Sequence, residues 1–156
     1  MNNDNLNKLR NSLCAGFVAI TVNTILLKAA SLFLIAAESG GLLKLIILHA
    51  KQYLPSNVLL LTKTTGFWLL FHYMTGFAMV LIYLYVFEKM LPGKGWVKGS
   101  LFSLVPWIIN GCIVLPLLGQ GFAGIQSLPL SCIIYFFITN LIFGLTLGVL
   151  YERFTK

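Results

Sequence analysis

The chain has 156 residues, 58% of them hydrophobic and 10% charged, with a mean hydropathy of +0.90. Globular chains carry about 25% charged residues, and a domain this small has no interior able to hide so much apolar length, so a water-soluble domain is excluded. The net charge of +7 does not mark a nucleic-acid binder, because the basic residues flank apolar runs instead of clustering, and no nucleic-acid partner is expected.

A polar, Asn-rich segment over 1–10 opens the chain. The first apolar run, 13–35, is as long as the ~20 residues that a helix needs to cross ~30 Å of hydrocarbon. It ends in Ile35-Ala36-Ala37, a cleavage-like tripeptide. The run nevertheless exceeds the roughly 7–15 residues of a signal-peptide core and is interrupted by Lys28, so a retained span is expected. Glu38-Ser39-Gly40-Gly41 then breaks the helix. Residues 42–54 have helical composition with apolar residues almost all round, yet they are too short to span. Such a stretch reads as an extra outer helix, amphipathic or re-entrant.

Pro55-Ser56-Asn57 ends that stretch and offers Ser56 or Asn57 as the N-cap of a new helix. The pattern allows this helix to run unbroken to Phe87, which is longer than the membrane is thick. Its apolar part, 66–87, is the second run. Leu91-Pro92-Gly93-Lys94-Gly95 is a turn by composition, and Trp96 suits a membrane interface. The third run, 101–118, contains Pro106, which removes a backbone hydrogen bond and tends to kink a span. After an outer loop over 119–127, the fourth run, 128–150, closes in Tyr151-Glu152-Arg153.

The ends of the second and fourth runs align, Val86-Phe87-Glu88-Lys89-Met90 with Leu150-Tyr151-Glu152-Arg153-Phe154. The starts of the first and third align as Arg10-Asn11-Ser12-Leu13 with Lys98-Gly99-Ser100-Leu101. The expected architecture is all-α: an integral membrane four-helix bundle of two helical hairpins in parallel repeat, one transmembrane domain over 1–156. Seven of the eleven basic residues fall on one side of this topology: Lys8, Arg10, Lys89, Lys94, Lys98, Arg153 and Lys156. The positive-inside rule therefore places both termini in the cytoplasm.

Four stretches carry a likeness to known proteins: Ala15-Gly16-Phe17-Val18-Ala19, Lys28-Ala29-Ala30, Pro116-Leu117-Leu118-Gly119-Gln120-Gly121-Phe122 and Leu141-Ile142-Phe143-Gly144-Leu145-Thr146-Leu147-Gly148-Val149-Leu150-Tyr151. In order and spacing they resemble small uncharacterised bacterial inner-membrane proteins, domain-of-unknown-function families of the YagU-like kind. The resemblance implies four spans and a bacterial inner (cytoplasmic) membrane location; it implies no activity. Such families often have a histidine near the position of Asn140, and this chain departs from them there, which weakens a paired-histidine site.

Cys14, Cys112 and Cys132 lie within the apolar runs and lack metal-ligand or redox spacing. No nucleotide-binding or catalytic motif occurs. No catalytic residue, metal site or cofactor is expected, and the protein reads as non-enzymatic. The residues left to carry function are the polar ones at membrane depth: Thr21, Asn23, Thr24, Lys28, His72, Thr75, Asn110, Thr139, Asn140 and Thr146. No Asp or Glu is among them, which counts against proton-driven transport.

Lys28 lies roughly 22 Å from Leu13 in a core of ~30 Å. Its ammonium either snorkels to the outer headgroups, pairs with a group such as Glu38, or serves a ligand. His72 and Asn140 can meet between the second and fourth spans, in a packing role or against a haem or quinone head group. Small residues recur every fourth position in Asn140, Gly144 and Gly148, and again in Ala15, Ala19 and Asn23. Such rows permit close helix contact, within one chain or across a homodimer.

Two readings result. The first is an accessory or oligomeric membrane component whose partners are the lipid bilayer and a second copy or larger complex. The alternative is a binder or carrier of a lipid-like ligand such as quinone or haem, held by Lys28, His72 and Asn140 in a pocket open to the outer leaflet. The orientation is directly testable. An alkaline-phosphatase reporter fused after Lys156 is expected to be inactive and one inserted near Gly121 active, and the reverse pattern overturns the topology.

Overall fold

The computed structural model describes residues 3–33, 35 and 41–155, and no strand occurs among them. Four helices are long and apolar enough to cross a membrane: α1 (Leu6–Phe33), α4 (Thr65–Met90), α5 (Gly95–Leu117) and α6 (Leu130–Thr155). They mark a multi-pass membrane protein. Two short helices, α2 (Gly41–Ala50) and α3 (Ser56–Leu61), lie between α1 and α4. The spans form a bundle of two hairpins, α1 with α4 and α5 with α6. Both termini share one end, where Asn11 Nδ2 donates to the Phe154 carbonyl at 2.6 Å. That end is called the terminal end below, and the opposite one the far end.

Local chemistry sets the helix limits, and in one place it overrides the apolar pattern. The helix that the sequence allows from 56 to 87 is broken. Thr64 takes extended backbone angles, and its hydroxyl oxygen accepts from Phe67 N at 3.2 Å, capping α4. The hydroxyls of Thr62 and Thr64 donate to the Leu59 and Leu61 carbonyls, each at 2.8 Å, and so satisfy the end of α3. A threonine cap is worth about 1 kcal/mol, enough to decide between one long helix and two. Pro55 occupies the cap position of α3 with no side-chain bond, in place of Ser56 or Asn57. The short helix α2 runs from Gly41 to Ala50 and stops before the 42–54 stretch ends.

At the terminal end, α5 is capped from another helix. Glu152 Oε2 accepts from Gly95 N at 2.6 Å, placing a carboxylate on the positive end of the helix dipole. Lys98 Nζ donates to the Glu88 carbonyl at 2.6 Å and reaches its carboxylate at 3.3 Å. The glutamates that end the two hairpins therefore both hold the start of α5.

The tightest packing joins α5 to α6. A Cβ on Gly99 would fall on the Gly144 carbonyl, and one on Gly95 would fall on the Gly148 carbonyl. Gly144 and Gly148 meet Gly99 and Gly95 in return, so the small-residue row of α6 is covered within the chain. On the other flank of α6, Asn23 Nδ2 donates to the Thr139 carbonyl at 2.9 Å, and Tyr135 Oη donates to the Leu26 carbonyl at 2.5 Å. Ala15 and Ala19 are fully buried in the core cluster. Between α1 and α4, Val80 seats against Gly16 and Ile20 against Gly76.

The core is not filled evenly. Towards the terminal end, Tyr83 packs edge-on against Phe102 at 5.2 Å and Tyr151 at 5.9 Å, and Phe87 packs against Phe102 at 5.2 Å. Towards the far end, α4 has no fully buried residue before Val80. Pro106 interrupts the α5 ladder, and a π-helical segment, Ile109–Val114, follows it. Such segments insert an extra residue into a turn and rotate the face presented beyond them.

The backbone contact at the glycines makes a sharp prediction. Gly144→Leu and Gly148→Leu should each destabilise the bundle by about 1–3 kcal/mol or more, as overpacking does. Gly66→Leu, at a site with nothing within 4 Å of a new Cβ, should leave the melting temperature in detergent unchanged. Equal melting of all three variants would contradict the contact.

Candidate functional site

In the far half the spans diverge around a partly open cavity of about 170 Å³. Every span contributes at least one hydrogen-bonding side chain to its wall: Asn23 from α1, Trp68, His72 and Thr75 from α4, Asn110 from α5 and Asn140 from α6. The rest of the wall is apolar and rich in flat rings, including Phe71, Phe136 and Phe143. Among the described residues, the only titratable side chain that lines it is His72, and no carboxylate does.

The polar groups are fixed by bonds to helix backbones. Asn140 Nδ2 donates to the Phe136 carbonyl at 2.7 Å, one turn back on its own helix. Asn23 Nδ2 reaches the Thr139 carbonyl across the α1–α6 contact. A carbonyl accepts only from a donor, so the nitrogen of each carboxamide must face it and the oxygen must turn away. The Thr75 hydroxyl donates to the Phe71 and His72 carbonyls, both at 3.0 Å. His72 differs: its Nε2 is buried and has no hydrogen-bond partner. Its ring stacks on Trp68, with centroids 5.1 Å apart and planes 9° from parallel.

The end of the cavity is formed by the start of α2, through Gly41, Leu42 and Leu43. Gly41 is buried against the π-helical segment of α5, and a Cβ there would lie 2.8 Å from Asn110 Oδ1. Only a residue without a side chain lets the two elements come so close. Pro106, the π-helical segment and Gly41 together bring Asn110 to the cavity.

Of the three residues that the sequence singles out as ligand candidates, His72 and Asn140 share the cavity wall. Lys28 does not line it. Its ammonium lies 4.7 Å from the Trp68 ring centroid, so it reaches the wall through a cation–π contact. The pairing of Lys28 with Glu38 lies outside the described residues. Asn23, read in the sequence as part of a helix-packing row, and Asn110, visible only as a polar residue at membrane depth, also line the cavity. The signal for them was there: one carboxamide or imidazole in each span. His49 is exposed, with its Nδ1 bonded to the Leu45 carbonyl at 2.9 Å. Among the described residues no group of His, Cys, Asp and Glu could hold a metal ion.

A family model matches residues 6–156, nearly the whole chain, and the protein belongs to that family, a family of unknown function designated DUF6789. The match says nothing about the YagU-like proteins that the sequence motifs resemble. No curated protein and no solved structure matches the chain significantly.

The contact between Lys28 and Trp68 can be measured. A double-mutant cycle with Lys28→Met and Trp68→Leu should return a coupling of about 0.5–2 kcal/mol in unfolding free energy. Strict additivity would show that the ammonium draws nothing from the ring.

Proposed function

We propose that this protein is a non-enzymatic membrane component that binds or carries a lipid-like molecule, its polar head held in the cavity between the four spans. One observation supports this reading above all. All four spans place neutral hydrogen-bonding side chains on the same cavity, in a chain whose helices otherwise bury mainly apolar and small residues. Polar groups at membrane depth are costly unless matched. Their convergence on one space is economical only if something occupies it.

Size and donor chemistry favour a small ring over haem. A dry cavity of about 150 Å³ lined by aliphatic and aromatic residues holds benzene, so a cavity of about 170 Å³ fits a single-ring head of the quinone type. A porphyrin is several times larger. A second axial ligand for haem is not at hand either, since His49 is turned outward on α2. In this reading the far end is the outer leaflet, α2 is a lid over the cavity mouth, and both termini are in the cytoplasm of a bacterium. The accessory or oligomeric role needs a docking face, and the small-residue row that suggested one meets α5 inside the chain.

The test is native mass spectrometry of the protein extracted in a mild detergent. Wild-type protein should carry one amphipathic molecule per chain, and His72→Leu and Asn140→Leu should each lose most of it. A wild type with no adduct, or unchanged occupancy in both variants, would overturn the proposal.

A further inference from the structure

We propose that α2 and α3 form a surface for anionic phospholipid head groups in the leaflet at the far end of the bundle. The proposal is independent of what fills the cavity. It starts from the charge of one segment. Residues 41–64 contain Lys44, Lys51 and Lys63 and no Asp or Glu. The acidic residue nearest to them in sequence, Glu38, lies outside the described residues. All three lysines are exposed, and none forms an ion pair among the described residues. The terminal end is built differently. There Lys98 is paired with Glu88, and Glu152 caps α5.

Geometry sets these charges among apolar side chains. The start of α2 is anchored, with Gly41 and Leu43 buried. Beyond it Lys44, Ile46, Leu48 and His49 are exposed. The helical ladder reaches Lys51, whose N donates to the Ile47 carbonyl at 2.8 Å. Lys44, Leu48 and Lys51 therefore share one stripe, at i, i+4 and i+7, with the two lysines about 10 Å apart along the axis. Tyr53, Leu60 and Leu61 are exposed as well. Lysines set among exposed leucine, isoleucine and tyrosine are the composition of an interfacial segment. The segment joins α1 to α4 at the far end, where the spans leave the hydrocarbon. A bilayer matches both halves of this surface. Its acyl boundary takes the apolar side chains, while the flexible lysine stems carry their ammonium groups to the phosphates. A zwitterionic head group brings a cation of its own that opposes the attraction. A head group of net negative charge does not, and each lysine near such a surface adds to binding.

The experiment reads lipid composition at α2 itself. A fluorophore is attached at Gln52→Cys, an exposed position, in the full-length chain with Cys14, Cys112 and Cys132 replaced by Ala. The protein is reconstituted in phosphatidylcholine vesicles containing a fixed fraction of phosphatidylglycerol or of phosphatidylcholine brominated near the top of its acyl chains. Brominated phosphatidylglycerol should quench as if enriched at least about threefold beside α2. Replacing Lys44, Lys51 and Lys63 together by Gln should abolish the difference, and a melting curve checks that this variant is folded. Molar salt should collapse the preference without any variant. Equal quenching by the two lipids at low salt overturns the proposal, as does a preference that survives the triple substitution or molar salt. Quenching by neither lipid also overturns it, because α2 would then stand away from the bilayer surface.

Discussion

The structure depends on a backbone-to-backbone contact. Gly95 and Gly99 on α5 lie directly against Gly148 and Gly144 on α6, so closely that a methyl group at any of the four would meet the opposing main chain. In hydrocarbon there is no water to expel between two apolar helices, and association rests on close packing and on hydrogen bonds. Glycine is the residue that makes the approach closest. The contact is reinforced at its terminal end, where Glu152 caps the first turn of α5. With α5 locked to α6, the opposite flank of α6 receives α1 through Asn23 and Tyr135. These three helices form a tight group, and α4 is left to lean on it.

That asymmetry creates the cavity. Where α4 carries large aromatic residues and meets Phe102 and Tyr151, the gap is filled. Towards the far end α4 meets α1 through Gly76 on Ile20, a Thr21–Tyr73 hydroxyl contact at 2.8 Å and the Lys28–Trp68 contact, and the cavity opens beside them. The π-helical segment of α5 begins at the same level. A strict α-helix would advance each residue by about 100° around the axis. An inserted residue resets that register, so Asn110, Gly111 and Val114 face different neighbours than the 3.6-residue period implies. Gly111 packs against Ala123 of the α5–α6 loop, while Asn110 is left on the cavity side. Proline, the widened turn and cavity polarity are one local arrangement.

Much of this was legible in the residues, and the failures have definite causes. The four spans were legible because hydropathy over ~20 residues is set by the bilayer and not by tertiary contacts. The small-residue row on α6 was legible as a contact surface, but its partner was not. A period of four says that a helix can be approached closely and leaves open by what. The break at Thr62–Thr64 was missed because both sides of it are apolar and a threonine cap leaves little mark in the sequence. Asn110 had no assigned role because its face depends on the π-helical turn, which Pro106 hinted at without locating. Lys28 was the conspicuous residue in the sequence, yet the neutral polar residues line the cavity. A charge draws attention because it is rare in a span; a set of neutral amides becomes visible as a set only when the helices are placed.

The separation of charge from cavity follows from energetics. A lysine near the middle of a span costs about 2.5–3.5 kcal/mol even with relaxation of its surroundings, and far more in a dry interior. A carboxamide costs less and can be partly matched by backbone carbonyls, as one N–H of Asn23 and one of Asn140 are. Trp68 serves both sides of the wall. One ring face region meets the Lys28 ammonium, where the negative quadrupole of the indole offsets part of the desolvation. The same indole stacks flat on His72 and presents that imidazole to the cavity. The ammonium is thereby kept behind the ring and off the cavity wall.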